Sequence, residues 1–286
     1  MKHPFLMVVL TFCAFSQYTF AQETATTPEK YTAHNKGKFF VYWGGNRETY
    51  SKSDITFSGD NYNFTVNGVK AHDKPKGYHI DYVNPSRMTI PQTNLRIGYF
   101  ITDHYNVSIG VDHMKYVMTQ DQTANVNGYV NLPASEPGSV HNGIYENDPT
   151  VMSKDFLMFE HTDGLNYVHA QLNRVDDISK YFSLPNTDKF QINLTEGIGG
   201  GLLYPKTNAT LLSKQRHDDF HVSGYGLSAQ VGLNLTFFKH FFIQGELKGG
   251  YIDMHDIKTT QSNADSASQH FAFFQRMITV GGIFRL

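Results

Sequence analysis

Gln269 to Leu286, QHFAFFQRMITVGGIFRL, runs to the end of the chain and decides how the rest is read. Counting back, Leu286, Phe284, Gly282, Val280 and Ile278 are apolar or Gly, with Arg285, Gly281 and Thr279 between them. Apolar side chains at every second position mean an extended strand with two unlike faces, because successive side chains point to opposite sides. A long alternation of this kind, aromatic on its apolar side, predicts the closing strand of a lipid-spanning β-barrel.

The same period recurs upstream. Strands are expected at Lys38–Arg47, Asn94–Thr102, Tyr105–Met118, Asp163–Arg174, Phe190–Leu203, Gly224–Phe238 and Phe241–Asp253. The sixth is the cleanest: Leu227, Ala229, Val231, Leu233, Leu235 and Phe237 alternate with Ser228, Gln230, Gly232, Asn234 and Thr236. The first is ambiguous, because Phe39, Val41 and Trp43 alternate with Phe40 and Tyr42. Short joins alternate with long ones, as expected when periplasmic turns alternate with external loops, and this places both termini in the periplasm. The fold expected is all-β: a closed antiparallel up-and-down transmembrane β-barrel of eight strands with long external loops. Within Glu48–Gln92, the segment from Ser53 alternates around Gly59-Asp60-Asn61 and reads as a hairpin above the membrane. Gln122–Asn131 with Asp155–Glu160 reads as another hairpin. Pairing of these segments inside the membrane would raise the count to ten or twelve.

Composition fits a lipid-spanning sheet. Aromatic residues make up 14% and Gly numbers 24, yet mean hydropathy is −0.39, because apolar residues alternate along strands rather than cluster in runs. Net charge of −2 gives no electrostatic case for nucleic acid. Met1-Lys2-His3, the apolar Phe5–Phe15 and Thr19-Phe20-Ala21 read as a signal peptide over residues 1–21, cleaved before Gln22. Cys13, the only cysteine, leaves with it, so disulfides and thiolate chemistry are not expected. Residues 22–36 read as a periplasmic lead-in, and 37–286 as the barrel domain.

The signal peptide, the strand rhythm, the Gly-aromatic richness and the C-terminal strand together resemble the small outer-membrane β-barrel families related to OmpA, OmpX and OmpW. The segments YWGGNR (Tyr42–Arg47), DHMKYVM (Asp112–Met118) and EHTDGLNY (Glu160–Tyr167) resemble those of uncharacterised Bacteroidota barrels. The resemblance implies insertion by the barrel-assembly machinery but no single activity. It leaves open a structural or surface-interaction role with a side-chain-filled lumen, a small-solute channel or porin, and a lipid A-modifying hydrolase at the rim.

On strand parity, Arg96, Asp112, Glu246 and Lys248 point inward, and opposite charges in so narrow a lumen should pair. His113, Lys115 and Arg276 fall on the outward face near the outer edge of the apolar band, where they would contact lipid or lipopolysaccharide headgroups. His161 and Asp163, two apart at the outer rim with Asp112 nearby, are the weak catalytic candidates: lipid A deacylases place a His and a Ser two apart, and Asp stands here instead. Glu196 conflicts with its parity. It shares a face with Ile192, Leu194 and Ile198, so either a bulge near Gly197 or an inverted strand is expected. Gly199-Gly200-Gly201 precedes no helix pattern and is not a phosphate loop. His217 and His221, with Asp218 and Asp219 between, read as a solvated loop. No metal, no cofactor and a monomeric state are expected.

Overall fold

The computed structural model describes residues 34–77, 79–82, 87, 91–184, 186–217 and 220–286. Residues 1–21, read from sequence as a signal peptide, most of the expected lead-in over 22–36, Asp218 and Asp219 lie outside the described residues.

The strands in chain order are β1 (Phe39–Tyr50), β2 (Ser53–Gly59), β3 (Tyr62–Val69), β4 (Ala71–His72), β5 (Thr93–Phe100), β6 (Tyr105–Met118), β7 (Thr123–Val130) and β8 (Gly143–Val151). They continue as β9 (Leu157–Asp177), β10 (Phe190–Pro205), β11 (Asn208–Leu211), β12 (Lys214–His217), β13 (Gly224–Phe237), β14 (Phe241–Lys258) and β15 (Ser266–Phe284). Eight of them pair in the order β1-β5-β6-β9-β10-β13-β14-β15, and β15 returns to β1. The ring is closed, which removes every unpaired edge from the lipid-spanning part. The seam runs antiparallel from Phe39 opposite Phe284 to Tyr50 opposite Phe273. Gly44 is required there: a Cβ on it would stand 2.1 Å from the carbonyl oxygen of Ile278.

The wall has opposite polarity at its two ends. In the lower part of β6, Val107 and Ile109 face out, and Ile109 is 67% exposed, while Ser108 and Asp112 face in and are buried. From two residues beyond Asp112, the inward positions become Met114, Tyr116 and Met118, all buried. β14 does the same. Glu246 and Lys248 face inward below, and Ile252 and Met254 face inward above, with no change of parity between them. Lipid demands apolar side chains outside, whereas water demands them inside. The switch therefore marks where the wall leaves the membrane.

Above that level the long connections fold into a cap. β2 joins the upper end of β15, β3 joins β2, β7 joins β3 and β8 joins β7, while β11 and β12 extend the upper end of β9. The cap encloses an apolar core that includes Ile55, Phe57, Phe64, Val126, Phe156, Phe159 and Leu211. Each such side chain contributes about 1.5–3 kcal/mol on burial. Ion pairing between Lys214 and Glu136 at 2.8 Å and the packing of Gly138 under Leu212 tie the β7–β8 side of the cap to the β11–β12 hairpin.

The hairpin at Gly59-Asp60-Asn61 stands above the membrane as read from sequence, and the ring has eight strands. Two expectations need correction. Gln122–Asn131 does not pair with Asp155–Glu160: β7 pairs with β8, and the latter segment forms the top of β9 beside β11. The register also runs unbroken through Glu196, with neither bulge nor inversion. Glu196 keeps its outward parity and stands opposite Arg174, which pairs with Asp176 at 2.6 Å. Tyr105 lies beneath the Arg174 guanidinium at the end of β6 away from the cap, so the charge sits at the interface rather than at mid-membrane.

Candidate functional site

The lower half of the lumen is lined by the inward positions of all eight ring strands, and its ceiling is one buried polar cluster. Asp112 of β6 is its centre. Arg96 Nη2 donates to Asp112 Oδ1 at 2.7 Å, and Lys248 Nζ donates to Oδ2 at 2.7 Å. Asn94 Nδ2 donates to Oδ1 at 2.5 Å. His169 Nε2 lies 3.1 Å from Oδ2 and 2.5 Å from Arg96 Nη2. Gln171 Oε1 accepts from Arg96 Nε at 3.2 Å, and Tyr167 stacks on His169 with ring centres 4.1 Å apart. Glu246 Oε1 stands 3.8 Å from Lys248 Nζ, which balances the two cations with two carboxylates. Buried charges persist only when paired and hydrogen-bonded, and this arrangement meets both conditions.

A second tier lies on the cap side of this cluster. Gln275 Nε2 donates to Glu48 Oε1 at 2.8 Å, and Gln92 bridges Glu48 and Asp73. Above it stands the apolar core of the cap. Below the cluster is a cavity of about 300 Å³ that reaches the end of the barrel opposite the cap, with Lys38, Asp188, Lys239 and Arg285 around its mouth. Phe40, Tyr42, Phe100, Phe242 and Ile283 pack together along one side of the lower lumen. Asn173, Asn193, Gln230 and Asn234 line the other.

The outer surface completes the picture. Leu95, Ile97, Val107, Ile109, Val168, Leu172, Ile198, Leu227, Leu233, Ile243, Ile278 and Val280 are exposed on the lipid-facing parity. Aromatic residues flank them: Tyr204, Tyr225, Tyr251 and Phe274 toward the cap, and Tyr99, Tyr105, Phe241 and Phe284 toward the opposite end. A closed sheet carrying an apolar band between two aromatic girdles is the solution lipid imposes on strands. The chain is a transmembrane β-barrel of eight strands.

No protein-family model and no curated protein sequence matches the chain. Solved structures do. The attachment invasion locus protein Ail of Yersinia pestis is similar at 13% identity over 87% of this chain and 99% of that one, with a TM-score of 0.33. OprG of Pseudomonas aeruginosa is similar at 11% identity over 89% and 99%, with a TM-score of 0.38. Neisserial surface protein A is similar at 8% identity over 84% and 96%, with a TM-score of 0.27. These are small bacterial outer-membrane barrels, the kind the sequence resembles.

The sequence-derived candidates divide by location. Arg96, Asp112, Glu246 and Lys248 come together in the barrel. His161, Asp163 and Asp112 do not. His161 is fully buried in the cap between Tyr116 and Phe159, its Nδ1 2.9 Å from the Thr207 hydroxyl. Burial lowers its pKa to about 4. Asp163 is exposed, because the wall bulges: Tyr116 faces His161 and Met114 faces Leu165, leaving extra residues around Gly164 at φ +151°. Asp112 is held in the lumen. Of the headgroup candidates, His113 is only 6% exposed and is covered by its hydrogen bond to Asn166 at 2.7 Å, so it does not reach lipid. Lys115 is half-buried on the outward face above the band, and Arg276 is exposed within the outer girdle between Phe274 and Ile278. Its cross-strand neighbour is Arg47, which sequence reasoning passed over because the first strand's parity was ambiguous. His169 and Asn94 were also missed as site residues, although their inward parity was readable.

Proposed function

We propose that this protein is an outer-membrane barrel whose ring anchors a folded, surface-exposed cap, with a structural or surface-interaction role and no open conduit. The observation that carries this reading is the stacked closure of the bore: the Asp112 cluster, then the Glu48–Gln92–Gln275 tier, then an apolar core. A solute crossing the barrel would have to break paired buried charges and then enter a hydrophobic interior, and both steps oppose polar traffic. The purified barrel in planar bilayers is expected to give no stable unitary conductance. Reproducible ohmic steps would move the function to the channel alternative.

The rim hydrolase has less support. A catalytic histidine must reach substrate, and His161 is enclosed by aromatic side chains while Asp163 turns away. Export by a signal peptide cleaved before Gln22, insertion by the barrel-assembly machinery and a monomeric state complete the proposal. Intact mass of the membrane-extracted protein tests the cleavage site. Lipid or lipopolysaccharide headgroups are the proposed partners of the outer rim, through Lys115, Arg276 and the adjacent Arg47.

A further inference from the structure

We propose that the periplasmic half of the lumen is a binding site for a small neutral polyhydroxylated solute of about monosaccharide size. The inference does not depend on what the cap binds. The cavity of about 300 Å³ lies at the lower end of the range for small-molecule sites. Its two sides differ chemically. One presents the faces and edges of Phe40, Tyr42 and Phe242, with Tyr42 and Phe242 set edge to face at 6.2 Å. The other presents side-chain amides.

The amide donors are already used within the wall. Asn193 Nδ2 donates to Asn234 Oδ1 at 3.2 Å and to the Thr236 hydroxyl at 3.3 Å. Gln230 Nε2 donates to Asn173 Oδ1 at 2.7 Å, and Gln244 Nε2 to Glu246 Oε2 at 2.8 Å. Among the described side chains that line the cavity, the atoms without a hydrogen-bond partner are all oxygens: Asn193 Oδ1, Gln230 Oε1, the Thr195 hydroxyl, and the Glu246 Oε1 that faces Lys248 at 3.8 Å. All four residues are more than nine-tenths buried and line the cavity. Buried acceptors left unmatched are costly, so an occupant that supplies donors is favoured.

Charge selects among such occupants. Lys239 is paired with Asp188 at 2.7 Å, and Glu196 also borders the cavity, but Lys38 and Arg285 leave this end net positive, which disfavours an organic cation. Glu246 and the unmatched amide oxygens disfavour an anion deeper in. A neutral polyol avoids both penalties. Its hydroxyls donate to these oxygens, and its C–H face packs on Phe40, Tyr42 and Phe242.

The test is calorimetric titration and saturation-transfer NMR on the detergent-refolded full barrel. Glucose and galactose serve as neutral probes, glucosamine as the cationic probe and glucuronate as the anionic one. Neutral hexoses are expected to bind with a Kd in the millimolar range, and both charged sugars about tenfold more weakly. Gln230→Leu and Asn193→Leu are each expected to weaken hexose binding about tenfold. The ranking of probes on the wild-type protein stands even if a variant fails to refold. Absence of hexose binding up to roughly 100 mM, equal or tighter binding of a charged sugar, or binding unchanged in both folded variants would overturn the proposal.

Discussion

Lys248 and Asp112, 136 residues apart in the chain, meet at 2.7 Å inside the barrel, where neither side chain touches solvent. β14 and β6 are not neighbours in the ring, so this bond spans the bore and joins opposite walls. Arg96 and His169 reach the same carboxylate from two further strands, and one Asp therefore ties four strands together.

Removing that carboxylate should be more damaging than removing the whole charge pair. Asp112→Asn leaves the two buried cations Arg96 and Lys248 with Glu246 as their one carboxylate in the cluster and is expected to cost about 3–5 kcal/mol. Asp112→Asn with Lys248→Met should be measurably more stable than Asp112→Asn alone, because one of the stranded charges is gone. Urea unfolding of the lipid-reconstituted protein measures both, and equal stability of single and double variants would contradict the pairing.

His161 makes the cap sensitive to acid. Its pKa is about 4 when folded, against an ordinary histidine value near 6.5 when unfolded, so between these values the unfolded chain binds the extra proton. Stability is thus fully present above about pH 6.5 and falls as the pH drops toward 4, by about 3 kcal/mol from this group. His161→Leu should remove that part of the pH dependence. The readout is the unfolding free energy of wild type and variant at several pH values, and parallel curves would refute the assignment.

The external segments form a packed unit rather than loose loops, and this predicts a separable failure. Phe57→Ala opens a cavity in the cap core and should cost about 3–5 kcal/mol of cap stability. Limited proteolysis should then cut within the cap, while the ring retains its heat-modifiable gel shift. Loss of the gel shift would show that ring and cap fold as one unit.

Arg47 and Arg276 face each other across the seam on the outer surface, an arrangement that like charges disfavour by about 0.2–1 kcal/mol. An anionic headgroup lying between them would relieve it. Arg276→Gln is expected to leave stability in neutral detergent unchanged or slightly raised and to reduce the thermal stabilisation given by added anionic lipid. If the lipid response is undiminished, the rim does not read headgroup charge through this pair.

Much of the ring could be read in the chain because the two-residue period is local. Leu95, Ile97 and Tyr99, or Leu233 and Leu235, declare their face without reference to any partner, and every inward charge named from parity does lie in the lumen. The period misled where the backbone departs from it. The bulge near Gly164 turned Asp163 out of line with His161, and no residue type signals such an insertion by itself. Parity was also silent at Phe39–Trp43, where the inward residues are themselves aromatic because they line the lower lumen.

Alternation along each strand thus fixed which side chains meet lipid and which meet the bore, since that choice is set by neighbours two positions away. Only the closed, staggered ring decided which inward groups touch. Asp112 finds Lys248 through barrel diameter and register, and Glu196 is spared mid-membrane by the tilt that brings it level with Arg174. The cap likewise needed the fold. Ile55, Phe57 and Phe64 alternate as barrel strands do, and their apolar face turns inward instead because water, not lipid, surrounds them.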